Sequence, residues 1–464
     1  MKRHELLPTE ANLIQTYIDD PINRDEYIND LVSFLSVVEG GYSLAIDSQW
    51  GSGKTFFVKQ VKMVIDSLNP QTTFASEKSG KKVSDKWTSM HSKDNSAIPP
   101  MITTYYDAWE HDDEDDPLLS IIYEIMKESY CIDGIPNKHN WTKILSEILT
   151  ALANCHVTNL VEALDGEDLF LKNKANEDLR ETISSFLKSL LPENGNKLVV
   201  FIDELDRCSP VYAIKLLERI KHYLDNDSVV FVFSINRIEL QKTIRKFYGE
   251  DFDACRYLDR FFDRSIGLPS VDLSAYCKKV GVMENDNLRQ TTCRVFMDQA
   301  NLSLRASTKY LEVAKAAAFE ITDGNKAVEI RTKLFDKGTA RLLAYSVIVP
   351  IALGLKMINT NDYQDFITGK NDLWLERIVF SDELFVLVFQ YLMDGESPIN
   401  SRDDIPDDQA KSKIKELYDA IFVYKYDDWH NRRVRIGSVT IDRSVKAEII
   451  EAVDQVSKYT NLYQ

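Results

Sequence analysis

Residues 43–60, SLAIDSQWGSGKTFFVKQ, combine an apolar run, a glycine-containing turn and a helical pattern. The turn ends in Gly53, Lys54 and Thr55, as the phosphate-binding pattern G-x-x-x-x-G-K-[ST] does. A strand, a turn and a helix in this order form the repeating unit of an α/β fold, with an anion site where the helix begins. The segment therefore predicts a parallel sheet covered by helices, with a phosphate site at one edge.

The first position of the pattern is Ser48 instead of glycine. Serine costs little there if its φ angle is negative, and about 1–2 kcal/mol if the angle is positive. The groups that would touch phosphate lie at 50–55, so we expect the loop to bind a nucleotide. Lys54 is predicted to contact the β- and γ-phosphates, and the hydroxyl of Thr55 is predicted to bind Mg²⁺. The predicted nucleotide-binding residues are Ser48, Gln49, Trp50, Gly51, Ser52, Gly53, Lys54, Thr55 and Phe56.

A second motif, LVVFIDELDR at 198–207, is an apolar strand that ends in two acids. Asp203 is predicted to hold Mg²⁺, and Glu204 to orient and polarise the attacking water. Two acids after a strand can also belong to a solvated loop. We expect this strand to lie next to the strand of the phosphate loop, which favours the functional interpretation and predicts a P-loop NTPase core.

The stretch between Lys54 and Asp203 has room for another strand, at 102–109. Such an extra strand is typical of NTPases that keep a catalytic glutamate. Asn236 ends a further apolar strand, VVFVFSI, and is predicted to lie beside the γ-phosphate as a polar sensor. The alternative for Asn236 is an N-cap of the helix that follows, and the sequence does not decide between the two.

The remaining pattern divides the 464 residues into three parts. Strands alternate with helices in 1–270, which predicts the α/β P-loop NTPase core with a parallel sheet. Within it, 71–100 predicts a mobile insertion and 132–196 a mostly helical insertion. Helical patterns then predict a helical lid at 271–359 and a mostly helical C-terminal domain at 360–464.

Two later segments need separate interpretation. The apolar run 342–358 has about the minimum length for a membrane span, but it contains a proline and Lys356. We predict a buried helix there instead of a span or a re-entrant helix. The last stretch, WHNRRVRIGSVTIDRSV at 429–445, predicts a small hairpin.

Charge and cysteine content limit the partners and the compartment. The formal net charge of −17 disfavours nucleic-acid binding, although Arg432, Arg433 and Arg435 form one dense basic cluster. The six cysteines have no C-x-x-C spacing, which argues against a zinc site and a disulfide framework and for the cytoplasm. No apolar stretch follows the basic start of the chain, so we expect no signal peptide.

Two strings of this sequence are distinctive: Trp-Gly-x-Gly-Lys-Thr at 50–55 and Asp-x-Leu-Asp-Arg-Cys-x-Pro at 203–210. Together with several longer stretches, they resemble the KAP family of P-loop NTPases. The resemblance covers most of residues 15–270 and continues more weakly at 302–315. The matching stretches are 19–35, 49–57, 105–125, 199–225, 229–240 and 247–269.

The resemblance implies an ATP-driven protein of the AAA+ and STAND neighbourhood, with ATP and Mg²⁺ as ligands and self-assembly into a homo-oligomer. By position, Arg260 matches an arginine finger for the neighbouring subunit, with Arg264 as the second choice, and Arg305 matches a lid sensor that binds the nucleotide. A surface ion pair is the alternative for each arginine. Many family members carry transmembrane helices inside the NTPase domain, but 132–196 has no apolar run of sufficient length, so we expect no integral membrane span.

The sequence leaves the function open between different classes of protein. One is an ATPase switch whose nucleotide state controls assembly or a protein effector, with antiviral (phage) defence suggested by the family likeness alone. Another is a nucleotide-holding scaffold with negligible turnover, and a third is a peripheral membrane organiser that rests on 342–358. Glu204 favours the first. No guanine-reading N-K-x-D motif follows, which favours ATP over GTP.

Overall fold

The computed structural model has two compact units, which divide between Val271 and Asp272. This boundary falls one residue after the predicted end of the NTPase core at residue 270. The structure describes residues 7–91, 98–129, 143–144, 146–150, 168–191, 197–224, 226–269, 271–279, 287–317, 319–321, 327–329, 338–393, 398–427 and 432–459.

In the first unit strands alternate with helices, as the apolar runs predict. The strands are β1 (Tyr42–Asp47), β2 (Met101–Asp107), β3 (Lys197–Asp203), β4 (Val229–Ile235) and β5 (Arg264–Gly267). The helices are α1 (Glu10–Asp19), α2 (Asp25–Val37), α3 (Lys54–Leu68), α4 (Thr73–Ser76), α5 (Lys78–Met90), α6 (Pro117–Ser129), α7 (Asp168–Leu190), α8 (Pro210–Arg219), α9 (Arg237–Tyr248) and α10 (Ala254–Leu258). A 3₁₀ turn (Leu205–Arg207) follows β3, and a π turn (Ile220–Leu224) extends α8.

The five strands form one parallel sheet in the order β2-β3-β4-β1-β5, which confirms the predicted fold class. The expectation that β3 lies next to β1 is wrong, because β4 separates them. Periodicity identifies buried strands but carries no information on their order. Because all five strands are parallel, the carboxyl ends of β1, β3 and β4 nevertheless lie at one edge, where ligands bind in such sheets.

Helices cover both faces of this sheet. β3 and β4 are buried along their whole length, which explains their continuous apolar runs. Successive side chains of β3 point to opposite faces, so Val200 packs with residues of α6 and α8, whereas Phe201 packs with residues of α2 and α3. The carboxyl edge of the sheet is therefore supported by two hydrophobic layers.

The segment 71–100, predicted as a mobile insertion, contains the two helices α4 and α5, and its residues 92–97 lie outside the described residues. Val83 and Trp87 of α5 are buried in the same hydrophobic layer as α3. These two side chains are four residues apart and share one helix face, but a single apolar pair is too short to register as a periodic pattern. The helical insertion predicted at 132–196 contains helix α7, and much of the remainder lies outside the described residues.

The second unit is mainly helical. Its helices are α11 (Leu273–Lys279), α12 (Leu288–Gln299), α13 (Leu304–Ala316), α14 (Thr339–Ile358), α15 (Thr360–Ile367), α16 (Leu373–Val379), α17 (Asp382–Leu392), α18 (Asp407–Phe422) and α19 (Arg443–Tyr459). Its strands are β6 (Phe319–Ile321), β7 (Ala327–Glu329), β8 (Arg433–Ile436) and β9 (Val439–Asp442). β8 and β9 pair antiparallel, which confirms the predicted hairpin near the end of the chain.

One hydrophobic core runs through the second unit, from Cys277 to Val456. It contains residues of the predicted lid, such as Phe296, and of the predicted C-terminal domain, such as Phe385. The boundary predicted at residue 359, between the lid and the C-terminal domain, therefore does not separate two hydrophobic cores. Helical periodicity shows which face of each helix is apolar, but not which helices share that apolar surface.

Helix α14 contains the apolar run 342–358 and is long and apolar enough to cross a membrane. Within the described residues it is the one helix with these properties, and 72% of its apolar window is buried inside the protein. Lys356 near its end is buried, and its Nζ lies 2.9 Å from Oδ1 of Asp454 on α19. The prediction of a buried core helix is confirmed.

Candidate functional site

The backbone of the phosphate loop, residues 48–55, shows how serine replaces the first glycine. The N–H of Ser48 donates to the carbonyl of Ile235 at 3.1 Å, so Ser48 continues the pairing of β1 with β4. Its φ angle is not positive, and serine therefore adopts this backbone without strain. Positive φ angles occur at Gly51 (78°) and Gly53 (90°), where a side chain would be disfavoured.

Lys54 is the first residue of α3, and its side chain folds back over the loop. Its Nζ donates to the carbonyl oxygens of Ser48 at 2.6 Å and Gln49 at 3.1 Å. Burial lowers the pKa of Lys54, while nearby carboxylates, Asp206 first, oppose this change. The ammonium group and the amino end of α3 both favour an anion at the loop, and Thr55 is the next residue of the same helix end.

Asp203 ends β3, and its buried carboxylate is held from two sides. Its Oδ1 accepts the N–H of Glu204 at 2.9 Å, and its Oδ2 accepts the hydroxyl of Tyr105, on β2, at 2.9 Å. Within the described residues no group of three His, Cys, Asp or Glu could hold a metal. Asp203 and Thr55 nevertheless fit Mg²⁺, which commonly takes one or two protein oxygens together with phosphate oxygens and water.

Glu204 has an unusual backbone conformation for its residue type. Its φ angle is 59°, in the left-handed region that glutamate rarely adopts, and the chain turns there from β3 into the 3₁₀ turn. Its carboxylate pairs with the guanidinium group of Arg207. Burial raises the pKa of Glu204 to about 7, the charge of Asp203 adds to the rise, and Arg207 opposes it. A carboxyl group with such a pKa is suited to accept a proton from water.

Asn236 follows β4 and is buried. It lies beside the phosphate loop, since the carbonyl of the preceding residue, Ile235, accepts a hydrogen bond from the N–H of Ser48. Its Oδ1 accepts the N–H of Glu239 at 3.4 Å, so the N-cap interpretation is confirmed. The cap uses the oxygen of the side-chain amide and not its NH₂ group. The sensor role of Asn236 is compatible with the cap and stays a prediction.

A comparison with protein-family models matches residues 24–329 to the KAP family P-loop domain. The match covers more than half of the chain and includes the phosphate loop, Asp203, Glu204 and Asn236. The chain belongs to the KAP family. KAP membership indicates nucleotide binding at the loop described above. No curated protein matches the chain in the corresponding comparison.

Two of the arginines suggested by the KAP resemblance belong to the unit that carries the phosphate loop, and the third belongs to the other unit. Arg260 is exposed and follows α10. Three residues later, Asp263 forms hydrogen bonds with the backbone of Ser43. Ser43 lies at the amino end of β1, opposite the end that carries the loop. Arg264 is exposed as the first residue of β5, and Arg305 is the second residue of α13 in the other unit. Their predicted roles stay predictions.

Three residues of this KAP site were not identified from the sequence: Tyr105, Asp206 and Arg24. Arg24 is buried, and its Nη1 and Nη2 each donate at 3.1 Å, to the carbonyls of Ser52 and Pro269. Burial lowers the pKa of Arg24 to about 10. The two hydrogen bonds of Arg24 connect the phosphate loop to the segment after β5. The stretches around Tyr105 and Arg24 carry the KAP resemblance, but nothing in them marks these residues individually.

Proposed function

We propose that this KAP protein binds ATP with Mg²⁺ and hydrolyses it. The observation that carries the proposal is Glu204, a carboxyl group with a pKa of about 7 directly after Asp203, at the sheet edge that also carries Lys54. Lys54 and the loop N–H groups would hold the phosphates, while Asp203 and Thr55 would hold Mg²⁺, which neutralises phosphate charge when bound. Glu204 would accept the proton of the attacking water.

A neighbouring copy would complete the site in this proposal. Arg260 is exposed and near the end of the sheet opposite its own loop, so a second chain is required to bring it to the phosphates. Nucleotide state would then control assembly of a homo-oligomer, and through it a protein effector. Antiviral defence rests on the family likeness alone. A cytoplasmic location is supported by the free cysteines among the described residues, Cys208, Cys255, Cys277 and Cys293.

Phosphate release from Mg-ATP, measured across protein concentration, tests the assembling ATPase. We expect turnover per chain to rise at least about tenfold with concentration in the wild type, because an arginine finger contributes only after association. The rise should disappear in Arg260→Ala and persist in Lys246→Ala, which removes an exposed cation from α9. If the rise persists in Arg260→Ala but is lost in Arg264→Ala, Arg264 is the arginine finger. Turnover that does not depend on concentration would contradict action from a neighbour.

A nucleotide-holding scaffold is the second candidate, and one contact favours it. The Glu204 carboxylate is paired with Arg207, so in this arrangement the base is occupied by a cation. Slow turnover would follow if that pair persists when the nucleotide binds. Tight Mg-ATP binding with equal and negligible phosphate release by the wild type and Glu204→Gln would establish the scaffold.

The raised pKa of Glu204 predicts a pH dependence of hydrolysis. The base must be ionised, so kcat/KM for Mg-ATP is expected to fall as the pH is lowered through about 7. Removing the opposing charge in Arg207→Ala should raise the pKa of Glu204 further and move the profile to higher pH. Steady-state rates between pH 5.5 and 9 check both expectations. A profile with the same midpoint in both proteins would mean that another group titrates.

A further inference from the structure

A side-chain hydrogen bond joins the phosphate loop to the acidic end of β3. The indole Nε1 of Trp50 donates to Oδ2 of Asp206, which lies in the 3₁₀ turn directly after Glu204. Asp206 is 4% exposed, whereas Trp50 is 46% exposed. Burial raises the pKa of Asp206, whereas the hydrogen bond from Trp50, the backbone of Asn236 and the charge of Lys54 lower it. The buried carboxylate therefore interacts with the phosphate loop and with the residue that follows β4.

The contact connects two segments that the sheet does not pair. β1 carries the loop and pairs with β4 and β5, whereas β3 pairs with β2 and β4. Lys54 and Glu204 therefore follow strands that are separated by β4. Trp50 lies four residues before Lys54, and Asp206 lies two residues after Glu204. The hydrogen bond is thus a direct connection between the phosphate-binding and the water-activating segments.

The same carboxylate acts on the charge of the loop. Among the acids that raise the pKa of the buried Lys54 ammonium, Asp206 has the largest effect, ahead of Asp203 and Glu204. The charge of Asp206 thus supports the same link between the loop and the acidic end of β3 that the Trp50 hydrogen bond makes.

We propose that Asp206 is a positioning residue for phosphoryl transfer, which holds the Trp50 turn of the phosphate loop against the acidic end of β3. The proposal rests on the proposed ATP hydrolysis. With this bond in place, a phosphate held by Lys54 keeps a fixed separation from Glu204. The bond does not involve the backbone N–H groups that bind phosphate, so its loss should affect the chemical step more than nucleotide affinity. Misplacement of reacting groups by about 1 Å can cost about 100-fold in rate.

Two matched substitutions separate the hydrogen bond from the charge. Trp50→Phe keeps an aromatic ring and removes the donor, whereas Asp206→Asn keeps an acceptor oxygen and removes the charge. We expect Trp50→Phe to lower kcat about tenfold or more, with the Kd for Mg-ATP changed by less than about threefold. Asp206→Asn should lower kcat less than Trp50→Phe does, since its amide oxygen can accept the same bond, and any loss that remains reports the charge near Lys54.

Asp206→Ala and the double variant with Trp50→Phe complete a cycle. Asp206→Ala should lower kcat at least as far as Trp50→Phe, since it removes the same hydrogen bond and also the charge near Lys54. The double variant should show the kcat of Asp206→Ala, because Trp50→Phe then removes no further contact and the losses should not add. The fluorescence emission of Trp50 provides a second readout that does not require turnover. In the wild type, the Trp50 contribution is the wild-type spectrum minus that of Trp50→Phe. In Asp206→Ala, it is the spectrum of that variant minus that of the double variant, and its maximum should be shifted. If Asp206→Ala does not fold, the Trp50→Phe and Asp206→Asn pair still decides the question.

The outcomes distinguish this proposal from the proposed hydrolysis. Absence of phosphate release by the wild type would overturn the proposed hydrolysis itself. Wild-type release with an unchanged kcat in Trp50→Phe would overturn only the positioning role. Additive losses in the double variant, or an unshifted Trp50 maximum in Asp206→Ala, would also overturn the positioning role.

Discussion

Lys54→Ala is expected to weaken Mg-ATP binding by about 100-fold or more, because charge-assisted hydrogen bonds to phosphate contribute about 1.5–3 kcal/mol each and this lysine can make two. Its ammonium group is already positioned over the loop by the carbonyls of Ser48 and Gln49. Little reorganisation is therefore needed for it to reach a bound phosphate. Titration with a fluorescent ATP analogue in the presence of Mg²⁺ measures the loss directly.

Thermal unfolding provides an independent check of the Lys54 prediction. Mg-ATP should raise the Tm of the wild type, since a ligand that binds only the folded state stabilises it, and most of this gain should be lost in Lys54→Ala. Lys242→Ala is the matched control, because Lys242 is an exposed lysine of α9 that forms an ion pair with Glu239, three residues earlier on the same helix. Equal affinity in Lys54→Ala and the wild type would mean that the phosphates bind elsewhere.

Glu204→Gln is expected to lower kcat for Mg-ATP by about 100- to 10,000-fold while nucleotide affinity is kept, since a general base contributes to the chemical step and not to phosphate binding. Glutamine has the same shape but accepts no proton at this pH. It also removes a negative charge near the phosphates, so the Kd should stay equal or become lower. Single-turnover phosphate release, with binding measured on the same samples, separates the two effects.

Glu250→Gln is the matched control for Glu204→Gln, because Glu250 is an exposed glutamate beyond the end of α9. It makes the same chemical change away from the carboxyl edge of the sheet. Undiminished turnover in Glu204→Gln would mean that another group activates the water. The raised pKa of Glu204 would then be only a consequence of its burial beside Asp203.

The two segments that carry the candidate chemistry were predictable from the sequence, because their chemistry depends on residue types in a contiguous string. Gly51 and Gly53 have the positive φ angles that the loop pattern requires. Asp203 ends a fully buried strand and Glu204 follows it, as the apolar run predicts. Short-range patterns of this kind are encoded within about ten residues, so one sequence is sufficient to recognise them.

Other features could not be predicted, because they depend on residues that are distant along the chain. The buried face of α5 is formed by Val83 and Trp87, and only contact with the α3 layer makes these two residues part of a core. The hydrogen bond from Trp50 to Asp206 spans 156 residues, and the contact of Arg24 with Pro269 spans 245. No local pattern marks either contact.

The sequence by itself determined that this KAP protein has a phosphate loop, an acidic strand end and a buried parallel sheet, since these depend on local backbone and side-chain chemistry. Only the tertiary structure decided that β4 lies between β1 and β3, and that Ser48 takes a φ angle that serine tolerates. It also placed Asp263, three residues after Arg260, at the amino end of β1, opposite the end that carries the loop. The physical reason is that strand order, backbone angles and long-range contacts are fixed by packing of the whole unit, whereas periodicity and motifs report only on neighbouring residues.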